Sequence, residues 1–252
     1  MGGALLEGWL ATGAFRPADL TIVDPEPGEA ARAAVARGAT LNPPREAIAA
    51  ARTAVLAVRP QVWREAAAAV AAKLALDTVI VSVAAGVRTG DLAQVFAPRP
   101  VARTMPTTGV AVGKGAVSIF ADSPAARAAA HALFDPVATT VDLAEEALMD
   151  AAVAVSGSAP AYLYAFIEAL SAAGQAEGLS AEASAALVRA TLIGAAALLE
   201  RSGEDPADLR RKVASPGGTT EAALRVLLAD DGLWPLAART VRAAAKRSRE
   251  LG

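Results

Sequence analysis

The chain has 252 residues, a formal charge of -2, 54% hydrophobic and 20% charged residues, one His and no Cys. The apolar fraction excludes a disordered chain, and the near-neutral charge supplies no global basic field for nucleic acid or an anionic membrane. Without Cys there is no disulfide framework, thiolate metal site or Cys nucleophile, and a multi-His metal site is excluded because any His chemistry depends on His131 alone.

The first half alternates strand and helix. Leu20–Val23 reads as a short strand ending at Asp24, with Pro25 and Pro27 making a turn. Gly28–Arg37 is helical, Gly38–Leu41 is a second strand, and Pro43-Pro44 opens a helix ending near Arg52. Thr53–Val58 is a buried strand stopped by Arg59-Pro60, followed by a helix over Gln61–Leu74 and a β-branched strand over Thr78–Val83. A helix over Thr89–Phe96 precedes a strand around Val101. Val117–Phe120 and Thr139–Val141 are strands flanking a helix over Pro124–Phe134. Short apolar runs separated by helices predict a parallel sheet with both faces covered.

From about Leu143 the strand signals stop. Helices are predicted over Glu145–Val155, Pro160–Gly174, Ala181–Arg201, Pro206–Val213, Thr220–Ala229 and Pro235–Leu251, with breaks at 174–178 and at Gly203. Pro160, Pro206 and Pro235 stand at helix starts, where a missing N–H costs nothing. The uncharged run 151–167 contains Ser156-Gly157-Ser158 and Pro160, which makes a poor membrane span. With no positive n-region or A-x-A site at the front, the expectation is a soluble, cytoplasmic protein. The domain organisation predicted is α/β over 1–143 and all-helical over 144–252.

In an open α/β sheet, ligands sit beyond the carboxyl ends of the strands. Three such ends carry suggestive residues. Asp24 suits the ribose 2′-OH of a dinucleotide, or is a solvated turn residue. Val58, Arg59 and Pro60 form either a cofactor contact or a polar strand-to-helix turn. Ala84, Ala85 and Gly86 let a flat ligand approach the backbone, or let helices pack closely. Ser215-Pro216-Gly217-Gly218-Thr219-Thr220 precedes a helix and exposes N–H groups and hydroxyls, a cradle for a carboxylate or phosphate; its alternative is an N-cap. Ser156–Tyr162 is a small-residue link between helices. His131 reads as a surface or packing residue, and Glu145-Glu146 as a helix-start charge pair favoured by the dipole.

Taken together, these segments resemble the pyrroline-5-carboxylate reductases of proline biosynthesis. The resemblance runs through Ala57–Gln61, Ser82–Val87, Arg103–Thr108, Ser156–Tyr162, Ile167–Leu170 and, most specifically, Ser215–Thr220. It implies a Rossmann-like dinucleotide-binding domain followed by a helical dimerisation and substrate-binding domain, assembled as a homodimer or larger ring. The implied reaction is hydride transfer from NADPH or NADH to the C=N carbon of a cyclic imine carrying a carboxylate, giving L-proline. The implied substrate site is Ser215, Gly217, Gly218, Thr219 and Thr220, with Thr220 the catalytic hydroxyl. The implied cofactor site is Gly2, Gly3, Asp24, Val58, Arg59, Pro60, Ala84, Ala85, Gly86, Met105 and Thr107. No metal, nucleic acid or membrane partner is implied.

The chain departs from the family pattern at Thr107 and Gly109, where Asn and Pro are usual, and at Ala159, where Gly is frequent. Asp24-Pro25-Glu26-Pro27 lacks a neighbouring cation for a 2′-phosphate, which leans to NADH, whereas the family more often uses NADPH; both stay open. A dinucleotide fold begins with a strand leading into Gly-x-Gly-x-x-Gly. Here Gly2 or Gly3 matches the last glycine, so the fingerprint's first strand is missing. Two explanations fit: Met1 is an internal Met about ten residues downstream of the true start, or the chain is a non-enzymatic relative acting as a dimer. A reductase for another cyclic imine is a third reading. A β-hydroxyacid dehydrogenase is disfavoured, because the helix over Pro160–Leu170 lacks the Lys of that class.

Overall fold

The structure is a computed structural model and describes residues 1–251. Two compact units are present: residues 1–157 with the end of the last helix from Ala244, and Ser158–Ala243.

The first unit opens with helix α1 (Gly2–Thr12), which a left-handed Gly13 ends. Strand β1 (Thr21–Ile22), α2 (Glu29–Ala36), β2 (Thr40–Leu41) and α3 (Arg45–Ala49) follow. Next come β3 (Thr53–Leu56), α4 (Trp63–Ala71), β4 (Val79–Ser82), α5 (Thr89–Phe96) and β5 (Val101–Pro106). Strand β6 (Gly115–Ala121), α6 (Pro124–Phe134) and β7 (Ala138–Asp142) complete the α/β part. Each predicted strand is present, several of them shorter at their ends.

The sheet differs from the expectation in two ways. Strands β3, β4 and β5 are parallel, but β6 runs antiparallel to β5 and carries β7 parallel to itself. Only residues 107–114 link β5 to β6, and a parallel crossover needs a dozen or more residues. The sheet is also divided: β1 pairs only with β2, and β3 to β7 form a separate five-stranded sheet. Strand β3 is not the buried strand predicted, since only its Leu56 is fully buried.

Apolar side chains fill both faces of the five-stranded sheet. Val81, Ala102, Val117 and Ile119 pack with Leu5 and Trp9 of α1 and Phe134 of α6. Ile80 and Val101 pack on the other face with Trp63 of α4 and Leu92 and Phe96 of α5. Alternate residues of one strand thus serve opposite cores. The indole N–H of Trp9 donates to Leu133 O at 2.7 Å. Arg99 is buried and donates to the carbonyls of Ala71, Leu74, Ala75 and Phe96 at 2.7–3.2 Å. It thereby ties the carboxyl ends of α4 and α5 to the start of β5, where a cation complements both helix dipoles.

Gly8 sits where α1 crosses the 3-10 turn Thr108–Val112. A Cβ there would lie 2.0 Å from Val110 O, so glycine is required by space rather than by φ. His131 does not join the candidate site. Its ring contacts Asp135 at 3.0 Å and Asp142 at 3.2 Å, and Thr140 Oγ1 donates to Asp135 at 2.6 Å, fastening α6 to β7.

After β7 the chain makes a 3-10 turn (Glu146–Leu148), α7 (Met149–Ala152) and a π-helical turn (Val153–Gly157). Met149 and Ala154 are fully buried, so this segment belongs to the first unit although strand signals end at Asp142. Near the carboxyl terminus, Ser248 Oγ donates to Asp150.

The second unit contains α8 (Ala159–Ala176), α9 (Ala181–Ser202), α10 (Pro206–Val213), α11 (Thr219–Leu227) and the beginning of α12 (Leu233–Leu251). The predicted break at 174–178 falls at its later end: α8 runs through Gly174 to Ala176, and Glu177 with left-handed Gly178 ends it. The bare Cα of Gly174 lets Ser184 of α9 approach, since a Cβ there would crowd Ser184 Oγ. Ser184 in turn donates to Ser171 O at 2.7 Å. Nor does Ser156–Pro160 spoil the helical run. The π turn absorbs it and Pro160 takes the second position of α8, so Glu146–Ala176 and Ala181–Ser202 are both long and apolar enough, by composition, to cross a membrane. Leu163, Tyr164, Phe166, Leu187 and Ile193 are exposed on α8 and α9.

Gly8→Ala is expected to destabilise the first unit by about 3 kcal/mol, read from urea denaturation, because the clash is with backbone. His131→Ala is expected to lower Tm by about 2 °C near pH 5–6 and by less above neutrality. Hydrogen bonds to Asp135 and Asp142 hold the His131 pKa above its ordinary value, so its contribution is complete below the unfolded pKa and is lost as pH rises through the folded one. Burial opposes the charge of Asp135, but bonds from Thr140 and His131 outweigh it and keep its pKa low. That contribution is lost only in acid, as pH falls through the lowered value.

Candidate active site

The parallel register of β3, β4 and β5 puts their carboxyl ends on one edge. Val58, Arg59 and Pro60 follow β3; Ala84, Ala85 and Gly86 follow β4; Met105 is the last residue but one of β5 and Thr107 follows it. The first turn of α1 reaches the same edge. A Cβ on Gly2 would come within 3.3 Å of Ala57 Cβ, and one on Gly3 within 3.4 Å of Ala30 Cβ at the start of α2. These two glycines therefore bring the start of α1 between the β3 end and the loop after β1. Close helix–strand approach and free N–H groups in a first helical turn are the features a dinucleotide pyrophosphate uses, so these residues fit that group.

Asp24 is half-buried on the loop after β1. Its backbone N–H donates to Asn42 Oδ1 at 2.9 Å, and Asn42 Nδ2 donates back to Asp24 O at 2.8 Å. One carboxylate oxygen accepts from Glu26 N–H at 2.9 Å. Gly86 has φ of 75°, a conformation that glycine supplies without strain, and Val87 N–H donates to Ala84 O. Ala85 is exposed while Ala84 is buried, which leaves a flat, small-residue step after β4.

Thr107 is turned to other work. Its N–H donates to Ala116 O at 2.9 Å and its hydroxyl oxygen accepts from Ala116 N–H at 3.0 Å, closing the start of β6. Its hydroxyl keeps its proton and one lone pair for a ligand. The neighbouring Gly109 has a plain steric reason, since a Cβ there would lie 2.6 Å from Lys114 O.

Sequence reading placed Glu146 only in a helix-start pair, and it does stand in the first turn of the 3-10 helix Glu146–Leu148. Its long-range partners were missed. Its carboxylate accepts from Thr89 N–H at 2.9 Å, Thr89 Oγ1 at 2.8 Å and Arg103 Nη1 at 3.1 Å. No local signal identifies it, because its partners lie 57 and 43 residues away.

In the second unit, Ser215–Gly218 forms the turn into α11. Gly217 has φ of 71°, and Gly218 N–H donates to Ser215 O at 3.0 Å. The turn is partly filled already: Gly217 N–H donates to Glu221 Oε2 at 2.6 Å, and Arg225 holds the other oxygen at 3.1 Å. The open donors are the first-turn N–H groups of Thr219 and Thr220, which no side chain caps. Thr220 is half-buried, whereas Ser215 and Thr219 are exposed. Glu221 could have been found from sequence, since an acidic residue three places into a helix commonly reaches back to a preceding N–H.

An open α/β sheet with small residues at its strand ends, followed by a helical unit, defines the dinucleotide-dependent oxidoreductases with a separate helical half. Comparison with known proteins sharpens this. Residues 146–251 match the family described as pyrroline-5-carboxylate reductase dimerisation, and residues 1–86 match that described as NADP oxidoreductase coenzyme F420-dependent. Pyrroline-5-carboxylate reductase of Pseudomonas aeruginosa is 40% identical over 210 residues, covering 82% of this chain and 77% of that protein. The Synechocystis enzyme is 39% identical over 79% of this chain and 74% of its own length. Among solved structures, a pyrroline-5-carboxylate reductase from Coxiella burnetii superposes with TM-score 0.90 at 26% identity, covering 99% of this chain and 94% of that one. The Plasmodium falciparum reductase, solved with NADP bound, gives 0.83 at 25%, covering 100% and 94%. The chain belongs to the pyrroline-5-carboxylate reductase family.

The Gly217 N–H bond and Arg225 keep the Glu221 pKa below its ordinary value. Protection of the Gly217 amide is therefore expected to persist at pH 4.5 and to fade only in stronger acid, as the carboxylate protonates. Glu221→Ala should accelerate Gly217 exchange about tenfold at neutral pH, measured by hydrogen exchange against the intrinsic rate.

Proposed function

We propose that this chain reduces 1-pyrroline-5-carboxylate to L-proline with NADPH or NADH, the last step of proline biosynthesis, in the cytoplasm. The observation that carries the reading is the Ser215–Thr220 turn at the head of α11, in a chain whose relatives over most of its length are reductases of this name. In this reading residues 1–143 hold the cofactor and 144–252 dimerise and bind substrate. The exposed apolar residues of α8 and α9 are the surface two copies would bury together, in keeping with the dimerisation match.

Reduction adds a hydride to the imine carbon, and the ring nitrogen takes up a proton, carried by the protonated imine or delivered from water. When bound, the reduced nicotinamide supplies the hydride. The remaining work is positioning. Gly2 and Gly3 would offer N–H groups to the pyrophosphate. Asp24 would accept from the adenosine ribose, and its charge with that of Glu26 suits a free 2′-OH better than a 2′-phosphate. Val58, Arg59 and Pro60, with Ala84, Ala85, Gly86, Met105 and Thr107, would line the cofactor along the strand ends. The N–H groups of Thr219 and Thr220 would bind the substrate carboxylate beside Ser215, Gly217 and Gly218. The Thr220 hydroxyl would donate to the nitrogen as its basicity rises. No strong general base is needed, so one His in the chain is no obstacle.

The divided sheet favours a second reading, a dimer that binds but does not turn over. Oxidation of NADPH and NADH by this protein with 1-pyrroline-5-carboxylate separates the two. Imine-dependent turnover supports the reductase, and its absence with both cofactors overturns that reading. In the active protein, Thr220→Ala is expected to lower kcat roughly tenfold or more, and unchanged turnover would remove this hydroxyl from the mechanism.

A further inference from the structure

The N-cap of α5 is Arg88, and its side chain makes no capping bond. The cap arrives from Glu146, on another element altogether, which meets both the N–H and the hydroxyl of Thr89. A local Ser, Asp or Asn would satisfy that helix end as well. The distant carboxylate does something a local cap cannot, because the same Oε1 also accepts from Arg103. It bonds the segment after β4 to strand β5 across the candidate cofactor edge.

The two tied residues border that edge closely. Thr89 stands three positions after Gly86, so its tether fixes the far end of the Ala84–Val87 turn. The near end is fixed by Ser82, whose hydroxyl accepts from Ala84 N–H and whose carbonyl accepts from Thr104 Oγ1. Arg103 stands two positions before Met105, on the same face of β5, and is paired in register with Ser82. Its side chain is 6% exposed and that of Glu146 22%, so the pair works where water screens little.

We infer that Glu146 is a positioning residue of the reductase: its carboxylate locks the Ala84–Gly86 turn and the Met105 end of β5 into the one arrangement that receives the nicotinamide half of the cofactor. This rests on the reading under Proposed function. Glu146 touches neither cofactor nor substrate in this role; it acts through Thr89 and Arg103. Glu146→Gln keeps the shape and removes the charge. The amide oxygen can still accept from Thr89 N–H and Arg103 while its NH2 donates to Thr89 Oγ1, but buried Arg103 is left without its counter-charge, which weakens the tie.

The test uses the full chain and three variants: Glu146→Gln, Glu146→Asp, and the double replacement Glu146→Ala with Arg103→Leu. In the cofactor-free protein, Glu146→Gln is expected to speed amide exchange over residues 85–92 about tenfold, with exchange in β4 and β5 unchanged. In turnover it should raise KM for the nicotinamide cofactor about tenfold and leave KM for the imine within about twofold. Glu146→Asp, which keeps the charge, should recover part of that loss. The double variant removes the buried unpaired cation, so its Tm should return towards wild type while the raised cofactor KM stays. Recovery of Tm and KM together would show a purely structural ion pair and overturn the inference. Wild-type exchange and wild-type cofactor KM in Glu146→Gln would overturn it as well. A wild-type protein that turns over neither cofactor overturns the underlying reading instead. Unchanged exchange over 85–92 in Glu146→Gln would then reject the lock independently.

Discussion

Strand β5 is held by two buried arginines, one just before it and one within it. Arg99, just before the strand, gathers four carbonyls from the ends of α4 and α5. Arg103, within it, meets Glu146. A guanidinium removed from water is costly unless its donors are matched. Matching them requires the helices, the strand and the segment after β7 to take up one relative placement. Carbonyl groups serve at the amino end of the strand, where helix carboxyl ends are electronegative. A carboxylate serves nearer the other end, where a helix amino end is electropositive. The two pairings are complementary in sign and pin opposite edges of the same layer.

What these pins hold is an edge with little chemistry of its own. The strand ends offer alanine, glycine and backbone. Such an edge cannot transfer a hydride by itself, but it can orient a molecule that does. The composition fits this division of labour, since scarcity of His and absence of Cys cost nothing when the reactive group is bound rather than built.

Much of this was legible in the sequence. Period and punctuation located α5, α6, α9 and α10 closely, and the Gly86 and Gly217 turns were visible as small-residue runs before helices. Three features were not legible, each for a physical reason. The reversal at β6 is set by a short link that cannot cross over, whereas the apolar pattern of a buried strand is blind to direction. Gly174 reads as the first residue of the break at 174–178, yet the helix runs through it and stops only after Ala176, because the residue that needs the bare Cα lies on the next helix. Glu146 reads as a local dipole partner, but folding brings it to a helix start 57 residues away. The Ser215–Gly218 turn into α11 was legible from its glycines, while Glu221, which accepts from Gly217 N–H inside it, was overlooked beside them.

The divided sheet also bears on how the first unit breathes. Strands β1 and β2 share two residue pairs and a small cluster of Leu10, Ala34 and Ala39, whereas the five-stranded sheet has extensive cores on both faces. Local opening free energy follows such differences in buried contact. Asp24 and Asn42 ride on the piece with the smaller core, so the loop after β1 is expected to open locally at a lower free energy than the five-stranded sheet. A ligand that bridged α1, this loop and the β3 end would join the two pieces into one cooperative unit, and part of its binding energy would be spent on that ordering.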